Sequence, residues 1–434
     1  MVEILPVIPL AKRRPISKRI GLRLVHPDHK DAVFAIKFSS DDSKVLANTM
    51  PKNTIQIWDA RTGRQLVAID TPDEVKGVEN FIVPTEDFSR LYTYVATRGK
   101  VERIKVDDTY GNKYEYPESR IQVWRTSDGK LLEEIRSSPP GRIGYLLQTP
   151  DKKYLFSRTM KSGTWTGQPP VVGRFLDLAN HQWKDLPESF DFPVFSNDSQ
   201  LMAFFIGLEP EEEYDNLISL SHFPSFEELN KINLPDGVHL GSTLIFSDSN
   251  RYLIADYRTY ERKNIWNKWK TNVACFDIET GKEVGNYRFP YDNDSPLEAE
   301  QLAKDTTLLL VTWRENPKKL IALDIPQMSV KWEVEVGDFK IVREPVISPN
   351  GNFLAVICTP NFEIEAVGRD QEVDWDLIPQ PQMKLFDCQT GALLETMDLP
   401  VGANGLVFSN GGKSAAIGAV GSVYFVDFSD LMSQ

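Results

Sequence analysis

The chain has 434 residues, 41% of them hydrophobic and 11% aromatic, which is enough to build a large packed core. Its 49 basic and 62 acidic residues give a net charge of −13 at pH 7, which disfavours a surface that grips nucleic acid or anionic lipid as a whole. The three cysteines (Cys275, Cys358 and Cys388) have no C-x-x-C spacing, so the sequence indicates neither a disulfide framework nor a structural zinc site.

The N-terminal segment carries no recognisable export signal. The apolar stretch Met1–Leu10 precedes the basic stretch Lys12–Arg14, whereas a secretory signal has its basic segment first. No run in the chain approaches the roughly 20 apolar residues that a membrane-spanning helix needs. We therefore expect a cytoplasmic protein without a membrane span, in which residues 1–16 form an N-terminal extension.

A pattern of short alternating strands follows this extension. Its clearest copy runs through Val33–Phe38, the turn Ser39–Asp42, Val45–Ala47, Ile55–Asp59 and the turn Thr62-Gly63. Alternation of apolar and polar residues over such lengths predicts half-buried β-strands, and the Asp, Thr and Gly residues between them predict tight turns. Each copy, with a further strand after its last turn, predicts a four-stranded antiparallel sheet.

Equivalent turns after the first strand of each copy recur along the chain at intervals of about 50 residues, a period typical of stacked repeats. They are Ser39–Asp42, Thr85–Asp87, Thr149–Asp151, Ser196–Asp198, Ser247–Ser249, Lys304–Asp305, Ser348–Gly351 and Ser409–Gly412. Because each sheet has two apolar faces that only neighbouring copies can cover, the repeats predict one all-β β-propeller over residues 17–430. We expect eight blades. The copies at 144–186 and 298–334 match weakly, so seven blades is the alternative.

The last predicted blade lacks its fourth strand. The blades are placed at 30–72, 73–138, 139–188, 189–235, 236–290, 291–338, 339–400 and 401–430. The chain ends soon after a third strand at Val423–Phe428, whereas Arg19–Val25 forms an orphan strand ahead of the first blade. A missing strand leaves an open sheet edge that can pair with other chains. We therefore expect residues 17–26 to complete the last blade and close the ring.

Two families share landmarks with these repeats. The WD-repeat landmarks are His29–Val33, Phe38-Ser39 and Trp58-Asp59, and the landmarks of quinoprotein-type propellers are Leu323-Asp324 and Lys331-Trp332. On these residues the chain resembles both families, although its other blades have Phe-Asp or Leu-Asp in place of Trp-Asp. Lys52 stands where the WD-repeat family tends to hold an Asp that bonds the histidine. The resemblance implies a β-propeller and does not imply a particular activity.

No motif in the sequence indicates catalysis, a cofactor or a metal ion. Gly412-Lys413-Ser414 resembles part of a phosphate-binding loop, but Val407 stands where that loop needs its first glycine, so the segment is interpreted as a hairpin turn. Asp292-Asn293-Asp294 lacks the glycine and the glutamate of a calcium-binding loop. We therefore expect a protein that is not an enzyme and holds no cofactor and no metal ion.

Five predicted blades carry long insertions between their second and third strands. They are Thr97–Glu118, Lys161–Pro170, Gly207–Asp215, Tyr257–Lys270 and Thr359–Pro381. These connections leave a propeller on one face, and long insertions on one face of a repeat scaffold indicate a binding face.

Two of the insertions have opposite charge. Tyr257–Lys270 mixes basic and aromatic residues, whereas Thr359–Pro381 places acidic residues around Trp375. Because Trp, Tyr and Arg are the residue types that anchor interfaces, the predicted partner-binding residues are Tyr260, Arg262, Lys263, Trp266, Trp269 and Trp375. The alternative is that Trp266 and Trp269 pack their loop onto its own blade.

These features favour a non-catalytic scaffold that binds a protein partner with an acidic segment through the loop-bearing face. Nucleic acid is the weaker choice, because the acidic insertion would repel a polyanion. The alternatives are a small-ligand or carbohydrate-binding propeller, and a quinone-dependent dehydrogenase, for which Trp332 alone fits the expected blade endings.

Overall fold

The computed structural model describes residues 21–25, 32–50, 54–71, 82–95, 100–106, 109–115, 119–136, 141–161, 163–165, 171–186, 191–206, 217–235, 238–263, 266–289, 298–302, 307–311, 318–337, 339–341, 345–360, 380–400, 402–403, 405–419 and 422–428. All regular elements within these ranges are β-strands. The same ranges contain no helix long and apolar enough to cross a membrane.

The strands are short and follow one another closely. The first twenty are β1 (Gly21–Val25), β2 (Ala32–Phe38), β3 (Lys44–Met50), β4 (Thr54–Asp59), β5 (Gln65–Asp70), β6 (Ile82–Pro84), β7 (Arg90–Val95), β8 (Lys100–Val106), β9 (Thr109–Glu115), β10 (Arg120–Arg125), β11 (Lys130–Arg136), β12 (Gly141–Gln148), β13 (Tyr154–Lys161), β14 (Gly163–Trp165), β15 (Val171–Asp177), β16 (Trp183–Asp185), β17 (Asp191–Phe195), β18 (Leu201–Ile206), β19 (Leu217–His222) and β20 (Glu228–Asn233). The others are β21 (His239–Phe246), β22 (Tyr252–Lys263), β23 (Trp266–Asp277), β24 (Glu283–Arg288), β25 (Glu298–Leu302), β26 (Thr307–Val311), β27 (Lys318–Asp324), β28 (Ser329–Gly337), β29 (Phe339–Ile341), β30 (Val346–Ile347), β31 (Phe353–Pro360), β32 (Gln382–Asp387), β33 (Leu393–Asp398), β34 (Gly405–Phe408), β35 (Ser414–Ala419) and β36 (Ser422–Asp427).

Eight antiparallel sheets form the blades. Their strand orders are β2-β3-β4-β5, β6-β7-β10-β11, β12-β13-β15-β16, β17-β18-β19-β20, β21-β22-β23-β24, β25-β26-β27-β28, β29-β31-β32-β33 and β34-β35-β36-β1. In the seventh blade β30 also pairs with β31, so the first strand of that blade is made of two pieces. The predicted fold class, an all-β β-propeller of eight four-stranded blades, is confirmed, and the alternative of seven blades is wrong.

The N-terminal strand completes the last blade, as the sequence predicts. β1 pairs antiparallel with β36, with Gly21 opposite Asp427 and Val25 opposite Val423. β36 is therefore an inner strand of its sheet, with its backbone hydrogen-bonding groups paired on both sides.

The chain divides into two compact units. Unit one comprises Met1–Thr71, Leu297–Asp324 and Val330–Gln434, and unit two comprises Pro72–Pro296 and Ile325–Ser329. In unit one, apolar side chains of the seventh blade pack against those of the eighth, where the rings of Phe353 and Phe428 lie 6.2 Å apart. The eighth blade packs in the same way against the first, and the sixth against the seventh. Neighbouring blades therefore supply the apolar cover that an isolated four-stranded sheet lacks.

Unit two repeats this packing with more aromatic residues. Its second, third, fourth and fifth blades bury their facing sheets in three successive clusters. The cluster between the third and fourth blades centres on Phe175, whose ring lies 4.8 Å from that of Phe223 and 5.4 Å from that of Phe156. Burying a side chain of this size stabilises the fold by about 1.5–3 kcal/mol relative to leaving it exposed.

The turn after the first strand of a blade is held by a repeated set of hydrogen bonds. In the first blade the Ser39 hydroxyl donates to the Asp41 carboxylate (2.6 Å) and accepts from the Lys44 amide (2.9 Å). The bonds from Ser39 and Ser43 hold the pKa of Asp41 at about 2, below its usual range. The same bond recurs from Thr85 to Asp87, Thr149 to Asp151, Ser196 to Asp198 and Ser348 to Asn350. The repeated turn residues of the sequence are thus structural.

The turn after the third strand has its own repeated chemistry. The Asp59 carboxylate accepts from the Thr62 amide (2.6 Å) and hydroxyl (2.7 Å), and Asp277 and Asp387 receive the same two bonds from Thr280 and Thr390. The fifth residue of the turn has a positive φ, which glycine adopts without a steric penalty. In chain order this residue is Gly63, Gly129, His181, Phe226, Gly281, Met328 and Gly391.

Candidate interaction face

The predicted insertions connect the second and third strands of their blades. Because the strands of a blade are antiparallel, these connections leave it at the end opposite the two tight turns. The Gly207–Asp215 insertion lies outside the described residues, and so do 361–379 with Trp375. His29 and Lys52, which carry part of the WD-repeat resemblance, also lie outside them.

The insertions of the second and third blades form a sheet of their own. β8 and β9 make an antiparallel hairpin, with Val106 opposite Thr109, and β14 of the third blade pairs with the other side of β9, with Trp165 opposite Asn112. The expectation of loops at Thr97–Glu118 and Lys161–Pro170 is therefore wrong for these stretches. Alternating residues within Lys100–Val106 carried a strand signal, whereas the pairing between blades had no local sequence signal.

The insertion of the fifth blade is a β-ribbon rather than a loop. β22 and β23 are twelve residues long, whereas the second and third strands of the other blades have five to eight residues. They remain paired from Tyr252 opposite Asp277 to Lys263 opposite Trp266. Thr and aromatic residues favour strands, and this composition is the signal that the expectation of a loop overlooked.

The outer half of this ribbon is two-stranded within the described part of the chain. β21 pairs with β22 only as far as Arg258, and β24 pairs with β23 only as far as Asn272. Beyond these points Thr259–Lys263 and Trp266–Lys270 pair with each other, and we call these two segments the ribbon tip.

The ribbon tip holds five of the six predicted partner-binding residues. Its register places Tyr260 opposite Trp269 and Lys263 opposite Trp266, with Arg262 one position before Lys263. These residues form two groups in the sequence, and the pairing of β22 with β23 brings the two groups side by side. Tyr257, the first residue of the predicted insertion, instead belongs to the core, because it is buried and its hydroxyl accepts from the Asn286 side-chain amide (2.8 Å).

A buried carboxyl group lies at the root of the ribbon. Asp256 is fully buried and accepts a hydrogen bond from the Thr243 amide (2.6 Å) in the bulge of β21. A side chain at Gly241 would collide with this carboxyl group, so glycine leaves the space that it fills. Burial raises the pKa of Asp256 to about 6, against the opposing effects of the Thr243 hydrogen bond and the charge of Arg258.

The cysteines are packing groups. Cys275, Cys358 and Cys388 are buried, and burial raises the pKa of each thiol to about 12. A thiol with so high a pKa is protonated at neutral pH and is a poor nucleophile or metal ligand. Among the described residues there is also no cluster of three or more His, Cys, Asp or Glu side chains that could hold a metal ion.

Both landmark tryptophans have structural roles in unit one. Trp58 is buried in the cluster between the first and eighth blades. Trp332 of the sixth blade reaches the seventh, where its indole N–H donates to the carbonyl oxygen of Cys388 (3.0 Å) and its ring lies against Gly391. These contacts hold neighbouring blades together.

Comparison with solved structures supports the fold. A eukaryotic initiation factor is 14% identical, with 91% of this chain and 83% of that chain covered and a TM-score of 0.52. The Dos1 propeller is 11% identical, with coverage of 93% and 95% and a TM-score of 0.53. The dihydro-heme d1 dehydrogenase NirN is 12% identical, with coverage of 85% and 67% and a TM-score of 0.54. No protein-family model and no curated protein matches the sequence. At identities this low, the similarity shows a shared fold and carries no information about activity.

Proposed function

We propose that this protein is a non-catalytic scaffold that binds a protein partner through the insertion-bearing ends of its blades. The observation that carries the proposal is the ribbon tip. It adds a two-stranded extension to a blade that is already complete with four strands. An isolated two-stranded ribbon is at best marginally stable in water, so a function outside the fold is the reason for keeping it.

The composition of the ribbon indicates the chemistry of the partner. Thr259–Lys263 and Trp266–Lys270 with the preceding Arg258 contain five basic residues and one acid, a local charge of +4 in a chain of net charge −13. This local charge would steer an acidic polypeptide toward the ribbon tip. The tip also carries Tyr260, Trp266 and Trp269, which are residue types that supply most of the binding energy at protein interfaces.

A shortened ribbon tests the proposal without opening the blade. Arg258 and Thr271 face each other in the register, so residues 259–270 can be replaced by Asn-Gly, which closes a two-residue hairpin. Wild-type and shortened proteins are then used as bait in extracts of the native host, and bound proteins are quantified by mass spectrometry. We expect a set of partners that bind wild type and are reduced at least tenfold on the shortened ribbon.

Two charge variants provide the matched comparison. Arg262→Glu with Lys263→Glu reverses the charge at the tip, whereas Lys130→Glu with Lys282→Glu makes the same change at exposed positions beside the tight turns of unit two. The first pair should weaken binding at least tenfold and the second should leave it unchanged. Equal binding by wild type and the shortened protein would overturn the assignment of the ribbon, and a tightly bound chromophore in purified protein would overturn the non-catalytic assignment.

A further inference from the structure

A cavity in unit two lies apart from the insertions. It has a volume of about 240 Å³ and lies between the third and fourth blades, beside the turns that follow their third strands. Five aromatic rings line it: Tyr154, Phe175, Trp183, Phe223 and Phe226. The Tyr154 and Phe223 rings meet edge to face with their centres 5.0 Å apart. The cavity is therefore mainly apolar, as binding sites for small molecules are.

Phe226 shows that this wall is built at an energetic cost. Its φ is +62°, and it occupies the turn position where four other blades have glycine. A left-handed conformation costs a side-chain-bearing residue roughly 1–2 kcal/mol. In return the Phe226 ring lies over Phe175, with ring centres 5.8 Å apart and planes inclined by 28°. A strained residue whose ring lines a cavity is a reason to look for a function there.

Two charged side chains also line the cavity. The Asp177 carboxylate accepts from the Ala179 amide (2.8 Å) and the Asn180 side chain (3.0 Å), and no basic side chain pairs with it among the described residues. By contrast Asp277, at the same turn position in the fifth blade, lies 3.6 Å from the Arg251 guanidinium. Within the described part of the chain, this carboxylate thus has hydrogen-bond donors but no basic side chain paired with it.

Lys184 supplies the opposite charge. Its ammonium group donates to the carbonyl oxygen of Pro224 (2.7 Å) and lies 4.4 Å from the centre of the Phe226 ring. No carboxylate pairs with it within the described ranges. One acidic and one basic group therefore border the same aromatic cavity, and each retains the capacity to bind an opposite charge.

We propose that this cavity binds a free α-amino acid with an aromatic or large aliphatic side chain. The ligand's ammonium group pairs with Asp177, its carboxylate pairs with Lys184, and its side chain enters the ring of aromatic residues. Pockets for drug-sized ligands measure roughly 300–1,000 Å³. This cavity, at about 240 Å³, is smaller and therefore suits a ligand smaller than a drug, such as a single amino acid. The site is independent of the proposed interaction face.

Analogues of one ligand separate the three contacts. Calorimetry on the full chain compares free phenylalanine with phenethylamine, which lacks the carboxylate, 3-phenylpropionate, which lacks the amine, and alanine, which lacks the ring. Tyrosine, tryptophan, leucine and methionine complete the panel. At least one aromatic or large aliphatic amino acid should bind saturably. Removing either charge should weaken binding at least tenfold, and alanine should not bind.

Three variants assign each contact to a residue. Asp177→Asn keeps the acceptor for the Ala179 amide. It should weaken the binding of the amino acid and leave the affinity for 3-phenylpropionate unchanged. Lys184→Met keeps an apolar stem, and it should weaken the binding of the amino acid and leave the affinity for phenethylamine unchanged. Phe226→Gly suits the positive φ, so it should fold and lose affinity for every ring-bearing ligand.

Two outcomes would overturn the proposal. One is the absence of saturable binding by every amino acid of the panel to folded wild-type protein. The other is equal binding of N-acetyl-phenylalaninamide, which lacks both charges and would show that the cavity takes a side chain of a polypeptide. His181→Gly changes the equivalent turn position of the third blade, which does not line the cavity, and it should leave affinity unchanged.

Discussion

Replacing Asp256 with Asn should remove a large pH dependence from the folding of this protein. Burial raises the pKa of Asp256 from 3.8 to about 6, so between these values the folded chain binds the proton that the unfolded chain releases. Stability from this group is therefore fully present below pH 3.8 and is lost as the pH rises through 6. A rise of this size corresponds to roughly 3 kcal/mol, because each tenfold change in proton affinity is about 1.4 kcal/mol.

Equilibrium unfolding in urea, followed by circular dichroism between pH 4 and pH 8, measures this effect. Other titrating groups contribute equally to both proteins, so the difference in unfolding free energy between Asp256→Asn and wild type isolates one carboxyl group. That difference should move in favour of the variant by roughly 2–3 kcal/mol from pH 4 to pH 8. The Asp256 Oδ2 atom has no hydrogen-bond partner among the described residues, so the amide N–H group that replaces it is also left without an acceptor. This costs the variant a constant amount of stability, because an amide does not titrate.

An exposed carboxyl group provides the control for this experiment. Asp248 lies in the same blade, and Asp248→Asn keeps the oxygen that accepts from the Asn197 side chain (3.1 Å). Because Asp248 is exposed, Asp248→Asn should change the unfolding free energy by no more than about 0.5 kcal/mol under the same conditions. Parallel curves for Asp256→Asn and wild type would refute the conclusion that burial governs Asp256.

Two further predictions concern the closing strand of the last blade and the packing between blades. Deletion of residues 1–26 removes β1 and leaves β36 as an open edge, so the protein should aggregate or melt at least roughly 5 °C lower; a monomer by size-exclusion chromatography with an unchanged melting temperature would contradict this. Gly391→Ala would bring a methyl group within 2.7 Å of the Trp332 ring at a φ of +71° and should cost roughly 2–4 kcal/mol of unfolding free energy. Gly281→Ala meets the side-chain amide of Asn230 instead, which can move, so this variant should be milder in the same urea titration.

The blade count could be predicted because its signals are local and repeated. The bond from Ser39 to Asp41 uses two residues of one turn, and the bonds from Thr62 to Asp59 use residues three apart. Such turns recur with the strands, so even the weakly matching third copy carries its own turn, Thr149–Asp151. The closing strand could be predicted for another reason. The last blade lacks a fourth strand, and the strand ahead of the first blade has no sheet of its own, so the two are expected to pair.

The accessory sheet could not be predicted in the same way. β9 pairs with β14, although the four blade strands β10 to β13 lie between them in the sequence. No property of Thr109–Glu115 alone specifies that partner. The ribbon was missed for a different reason. Its basic and aromatic composition suggests a loop surface, although strand-favouring residues such as Thr259 and Tyr260 continue without a break along β22. The contribution of its tip residues to binding stays a prediction.

The internal repeats serve as a comparison set for finding sites within this chain. The fifth residue of the turn after the third strand has a positive φ in seven blades, and in four of them it is glycine: Gly63, Gly129, Gly281 and Gly391. A copy that departs from glycine incurs strain, and that strain needs a compensating contact. At His181 the compensation is visible, because its imidazole lies 3.0 Å from the Glu133 carboxylate of the neighbouring blade. At Phe226 the compensating contacts are the ring of Phe175 and the ammonium group of Lys184, and both line a cavity. Phe226 therefore contributes to the packing between the third and fourth blades and also lines the cavity proposed to bind an amino acid, so its replacement by glycine should affect both.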